Sequence, residues 1–294
     1  MKLLILGANG QVGHCLVEQA TAKGIDYIAT DSSQLDITDF SKVADIINQA
    51  NPTCVINATA YTNVEKAEDE ADKAFMVNGD SLGNLAKVCS EKDIPLIHIS
   101  TDYVFDGTKD GFYQETDAVN PINVYGRSKL AGEIAVSENT KKYIILRTSW
   151  VFGRHGKNFV KTMINLFKSR NELTVVNDQI GGPTFAGDIA DRILRIADVL
   201  NKNKEFTNWG IYNFSGKPDV SWFDFANCIY NSCKKNGIQI NDVTINPIAA
   251  ENFKTKAVRP QNSKLDLSKI SEVFGIEPCD WKKEIENNIN YYNS

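Results

Sequence analysis

The 294-residue sequence predicts an α/β fold, with a doubly wound parallel sheet in its first part and a smaller C-terminal region after it. Three observations predict it. Over residues 1–150 short β-rich runs alternate with amphipathic helical patterns, the rhythm of parallel strands joined by crossover helices. The runs are nearly continuous in apolar residues, which suits strands covered on both faces. A glycine-rich turn follows the first run at once.

The first strand is predicted over residues 3–6 and a helix over 11–23, with Gly7-Ala8-Asn9-Gly10-Gln11-Val12-Gly13 between and into them. A small-residue turn from a strand into a helix brings backbone N–H groups and the positive helix end to a pyrophosphate. That makes the fold Rossmann-like and assigns Gly7, Asn9, Gly10, Gln11, Val12 and Gly13 to a dinucleotide, although G-x-x-G-x-x-G differs from the commoner G-x-G-x-x-G. The second strand, 27–30, ends at Asp31, about 20 residues past the loop, where a carboxylate can accept from the adenosine ribose hydroxyls. No Arg or Lys stands in Ser32-Ser33-Gln34, so the usual partner of a 2′-phosphate is missing and NADH is favoured. Asp36 and Ile37 suit the edge and face of adenine; in the alternative reading Asp36 only precedes a helix cap at Thr38 or Asp39.

Further strands are predicted over 54–57, 96–100 and 143–147, and helices over 41–49, 71–92 and 125–138. After Trp150 the pattern loosens into a helix over 158–168, a strand near Thr174, a helix over 188–200 and a polar stretch, 201–208. Residues 1–150 are therefore read as an NAD(P)-binding domain and 151–294 as a second region, with about 158–200 returning to the first core.

Tyr-x-x-x-Lys occurs twice, at Tyr125 to Lys129 and at Tyr230 to Lys234. Residues four apart share a helix face, so an ammonium near a phenol lowers its pKa from about 10 and makes it a competent general acid. Tyr125 follows the fourth strand and is expected over the carboxyl ends of the sheet, where such folds bind ligands; Tyr230 lies in an apolar stripe, Phe223-Ala226-Ile229-Tyr230-Cys233, read as core. Ser100-Thr101-Asp102 ends the fourth strand, and its hydroxyls are placed to polarise a substrate carbonyl, although the same residues also cap loops.

Composition narrows the classes. A net charge of −5 argues against a nucleic-acid surface, and no apolar run approaches a bilayer span or a signal-peptide core, so the expected location is the cytoplasm, with no membrane partner. Six cysteines without a C-x-x-C pair are read as reduced and structural, and His14, His98 and His155 show no ligand spacing, so no metal is expected. His98, inside Leu96-Ile97-His98-Ile99, reads as a satisfied core histidine.

Together these segments resemble the extended short-chain dehydrogenase/reductase superfamily and, more closely, the dTDP-4-dehydrorhamnose reductase family, over nearly the whole chain. The glycine loop and Asn123-Val124-Tyr125-Gly126-Arg127-Ser128-Lys129 mark the superfamily. Residues 57–68, Ser100-Thr101-Asp102-Tyr103-Val104-Phe105, residues 147–152, Asn177-Asp178-Gln179-Ile180-Gly181-Gly182-Pro183-Thr184 and residues 259–263 narrow it to the family. The resemblance implies that NADH or NADPH delivers hydride to C4 of dTDP-4-dehydro-β-L-rhamnose, that Tyr125 protonates the alkoxide and that dTDP-L-rhamnose leaves. It implies further that Lys129 holds the nicotinamide ribose and tunes Tyr125, that Thr101 acts with them, and that Ala58, Thr59 and Ala60 line the cofactor. Thr62, Val64, Thr101, Asp102, Trp150 and Arg259 are the implied substrate contacts, Arg259 gripping the diphosphate. Some members dimerise through magnesium held by glutamates, one in the first helix where this chain has Cys15. A metal-linked dimer is therefore not expected; monomer and plain homodimer both stay open. Two other readings remain: a non-catalytic dinucleotide-binding regulatory subunit, and a reductase giving the C4 epimer, a dTDP-6-deoxy-talose.

Overall fold

Each apolar run of the first part becomes a parallel strand of one sheet. The computed structural model, which describes residues 1–293, places β1 at Lys2–Leu6, β2 at Asp26–Thr30, β3 at Cys54–Asn57, β4 at Leu96–Thr101 and β5 at Tyr143–Thr148. A sixth strand, Gly210–Asn213, pairs outside β5, and the order across the sheet is Gly210–Asn213, β5, β4, β3, β1, β2, all parallel. Side chains alternate between two apolar layers: Leu3, Ile5, Cys54 and Ile56 face one, Leu4, Leu6 and Val55 the other. This period-two division of an all-apolar run is what a doubly covered sheet requires.

The helices are α1 (Gln11–Ala22), α2 (Phe40–Ala50), α3 (Val64–Ala67), α4 (Ala71–Phe75), α5 (Ser81–Glu91), α6 (Val124–Asn139), α7 (Phe159–Ser169), α8 (Ala186–Lys202), α9 (Trp222–Lys235), α10 (Ser268–Phe274) and α11 (Trp281–Asn288). The layer shared by α1 and α8 holds Leu16, Ala20, Ile189 and Ile193; that of α2 and α5 holds Val43, Ile47, Leu82 and Leu85. The helix predicted over 71–92 is instead α4 and α5 joined by a π-turn at Met76–Asp80. The π-turn presents Asn78, whose Oδ1 accepts from the Tyr61 N–H at 2.8 Å while its Nδ2 donates to the Tyr61 carbonyl and to Ser128 Oγ, both at 3.0 Å. It thereby clamps the loop after β3 to α6, a use that recurs for π-bulges beside functional sites.

A separate apolar cluster joins α7, α9, Trp281 and Tyr292 with Val175 of the Glu172–Val176 strand. Of the segment expected to return to the first core, α8 packs on α1 and α7 does not. The Gly210–Asn213 strand, absent from the sequence expectation, returns as well. Among the described residues no helix is long and apolar enough to cross a membrane.

Candidate active site

β1 lies between β2 and β3, so the chain turns to opposite sides of the sheet after it, and a crevice opens at the carboxyl ends of the strands. The glycine loop forms one wall. Gly7 has φ +84°, and a Cβ there would come within 2.8 Å of the Ala58 carbonyl and the Thr59 nitrogen; a Cβ on Gly13 would overlap the Gly7 carbonyl. These two glycines let loop, helix and β3 close together, and neither lines the cavity. α1 has Gly10 as its N-cap, with no side chain capping its free N–H groups and no acid in its first turn, an end left open for an anion.

The crevice is a cavity of about 550 Å³. Asn9, Gly10, Gln11 and Val12 line one side, Ala58, Thr59, Ala60 and Thr62 of the loop after β3 and Val64 at the start of α3 another, and Thr101, Asp102, Tyr125, Lys129, Trp150 and Arg259 the far side. Asp31, Asp36 and Ile37 stand outside it. Asp31 accepts from Asn9 Nδ2 at 2.5 Å and from Ser33 N and Oγ at 2.8 and 2.6 Å, and the Ser33 bonds foremost hold it below the usual carboxylate range. Asp36 Oδ1 is occupied by Thr38 N and Oγ1 at 2.9 and 2.7 Å. Ile37 corrects the expectation: it is buried with Leu6, Leu35 and Val43, so it supports the wall and offers no face to a ring.

Tyr125 sits in the first turn of α6, behind Asn123, whose Oδ1 caps the Gly126 N–H at 2.7 Å and whose Nδ2 donates to the Val258 carbonyl at 2.8 Å. Burial first, then the Asp102 carboxylate, pushes its phenol up to about 12, with a hydrogen bond to Thr101 acting the other way. The hydrogen bonds of Lys129 go elsewhere. The shared helix face is real, but the four-carbon stem carries Nζ to the Ile99 carbonyl at 2.7 Å and to His98 Nε2 at 3.1 Å. Burial lowers Lys129 to about 8. Ser100 lines the cavity as well, but its hydroxyl is engaged, donating to Glu133 at 2.5 Å. Thr101 Oγ1 also caps the next turn, accepting from Tyr103 N at 3.2 Å.

Asp102 is buried, its Oδ2 has no partner, and burial raises its carboxyl to about 6. Arg259 bonds Glu65 at 2.9 Å while its Nε stays unpartnered, so the ion-pair reading holds for one nitrogen and leaves another free. Trp150, at φ +46°, stacks on Trp222 with centroids 3.5 Å apart. Sequence reasoning missed Trp222 and Lys157, both lining the cavity. Ser221 and Asp224 form a capping box that marks the start of α9, but nothing local says that its first residue reaches a cavity. Tyr230 packs edge-on to Phe167 in the other cluster, as its apolar stripe predicts.

The model of the RmlD substrate binding domain family matches residues 1–294. The chain belongs to the RmlD family. A dTDP-4-dehydrorhamnose reductase of Aggregatibacter actinomycetemcomitans is 45% identical over 287 residues, covering 97% of each chain. The crystal structure of a dTDP-4-dehydrorhamnose reductase ortholog from Clostridium acetobutylicum superposes with TM-score 0.91 at 38% identity, covering all of both chains. One from Bacillus anthracis, in complex with NADP, gives 0.89 at 36% identity and 98% of each. RmlD membership fits a dinucleotide at the open end of α1. All six cysteines are free, and burial pushes the Cys15 thiol up to about 12. Among the described residues no group of three or more His, Cys, Asp or Glu is gathered to hold a metal ion.

Proposed function

We propose that the chain reduces the C4 ketone of dTDP-4-dehydro-β-L-rhamnose to dTDP-L-rhamnose with NADH or NADPH, as a cytoplasmic enzyme, monomeric or homodimeric. The observation that carries this reading is a buried, protonated phenol, Tyr125, lining the same cavity as Thr101 and an uncapped helix end. Gly10, Gln11 and Val12 would hold the pyrophosphate, Asp31 the adenosine ribose, Asp36 the adenine edge, and Ala58, Thr59 and Ala60 the middle of the dinucleotide. The cofactor, when bound, supplies hydride to C4.

Tyr125, raised to about 12, keeps its proton at neutral pH and gives it to the C4 oxygen only as that oxygen becomes an alkoxide, a far stronger base. Thr101 orients that oxygen beside the phenol. Asp102 Oδ2, buried and unpartnered, accepts from a sugar hydroxyl. The free Nε of Arg259 reaches the diphosphate, Thr62 and Val64 shape the wall, and Trp150 closes over the sugar from its stack on Trp222. Lys129 donates to the nicotinamide ribose.

The test is turnover of the dTDP-4-keto sugar with the product identified by NMR. The expected product is dTDP-L-rhamnose, and Tyr125→Phe is expected to lower kcat by about 10²–10⁴-fold. A dTDP-6-deoxy-talose product would overturn the stereochemistry, near-normal turnover by the variant would overturn the acid, and binding of NADPH without oxidation would overturn the enzyme reading.

A further inference from the structure

His98, fully buried in β4, has no part in the steps above, yet both ring nitrogens are engaged. Nδ1 lies 3.1 Å from Asn57 Nδ2, and Nε2 lies 3.1 Å from Lys129 Nζ. The Asn57 amide has only one consistent orientation. Its Oδ1 accepts from Thr59 N at 3.1 Å and Thr59 Oγ1 at 2.6 Å; a backbone N–H can only donate, so the oxygen faces Thr59 and the NH₂ faces His98. An NH₂ also only donates, so Nδ1 must offer a lone pair. A neutral imidazole of that kind carries its hydrogen on Nε2, aimed at Lys129.

An ammonium has no lone pair and meets such a donor with repulsion, whereas an amine accepts from it. An amine still has two N–H groups, one for the Ile99 carbonyl at 2.7 Å and one for the cavity that Lys129 lines. We propose that Asn57 and His98 favour the amine of Lys129 over its ammonium in the resting site, His98 being a positioning residue whose tautomer biases the charge of Lys129. Burial acts in the same direction, lowering Lys129 to about 8 and His98 well below the usual histidine range. The other ionisable groups around it are few. Glu133, one turn further on α6, favours the ammonium but is locked to Arg147 of β5 and to Ser100 of β4. Tyr125, one turn back, is a neutral phenol, and Asp102 stands at the end of β4.

The consequence rests on the proposed role of Lys129, but the tautomer does not, so the two fail separately. In full-length protein labelled with ¹⁵N-histidine, His98 is one of only three histidines, which His14→Gln and His155→Gln assign. The expected spectrum shows His98 as a neutral Nε2–H tautomer that does not titrate between about pH 5.5 and 9. An Nδ1–H tautomer or an imidazolium overturns the proposal, with no substrate required. Asn57→Asp replaces the NH₂ by an acceptor of the same shape, so the hydrogen moves to Nδ1 and Nε2 can accept from an ammonium. The limb of the kcat/KM pH profile that follows Lys129 then shifts upward by about one pH unit or more. An unchanged tautomer in Asn57→Asp, or a changed tautomer with an unmoved limb, overturns the link to Lys129.

Discussion

Replacing Glu133 by alanine should destabilise the fold by about 3–5 kcal/mol, because it strands a buried charge. Glu133 and Arg147 are each 2% exposed and are joined by three bonds: Nε to Oε1 at 3.0 Å, Nε to Oε2 at 3.2 Å and Nη2 to Oε2 at 2.6 Å. Ser100 adds a fourth bond to Oε1 at 2.5 Å. Without the carboxylate, the guanidinium keeps only the Glu115 carbonyl at 3.4 Å and the Phe105 ring at 5.0 Å, too little to replace its hydration. An exposed pair such as Lys202–Asp198 contributes about 0–1 kcal/mol, so the two sites differ several-fold. The double variant Glu133→Leu/Arg147→Met removes both charges and both desolvation penalties, and it should lie within about 1–2 kcal/mol of the parent. Urea unfolding followed by circular dichroism measures the parent, Glu133→Ala, Arg147→Met and the double variant. A loss under about 1 kcal/mol for Glu133→Ala, or a double variant worse than either single one, would refute the reasoning.

Asp102 makes a prediction in pH. Its folded carboxyl lies at about 6, above the unfolded value of 3.8, so the folded state holds the extra proton and stability falls as pH rises from about 4 to about 6, by about 3 kcal/mol. Asp102→Asn should flatten that fall in denaturant titrations at pH 4.5 and 7.5 while raising KM for the sugar; an unchanged slope rejects the assignment. Asp31 is ionised at the edge of the glycine loop, where a 2′-phosphate would meet like charge. Asp31→Ser should raise the NADPH-to-NADH ratio of kcat/KM by roughly tenfold, and a ratio that stays put removes Asp31 from cofactor choice.

How much of this was legible follows from where each signal resides. The five main strands and the glycine loop are written in contiguous residues, whose pattern alone says that both faces are covered. The π-turn is not: it forms because Asn78 finds Tyr61 and Ser128, partners 17 and 50 residues away. The Gly210–Asn213 strand is four residues beyond a polar stretch, too short to carry a period, and exists because β5 offers an open edge. Trp222 reaches the cavity only through its stack on Trp150, more than 70 positions earlier in the chain.

The Tyr125–Lys129 pair shows the deeper limit. Spacing on a helix fixes which residues share a face, but not where a flexible amine terminates, and that endpoint decides the electrostatics. A lysine ammonium beside the phenol would lower Tyr125; with the Lys129 nitrogen bonded to His98 and Ile99 instead, Tyr125 stays raised by burial. Tyr125 and Asp102 are pushed up and Lys129 down, each toward its uncharged form, so burial outweighs pairing at all three. A cavity that resists standing charge favours hydride and proton moving together, because either alone would leave a charge with little to stabilise it. Of the other cations lining the cavity, Lys157 and Arg259, the second already has Glu65 as its counter-ion. The developing alkoxide therefore depends on Tyr125 and Thr101, and losing either donor should affect kcat more than KM.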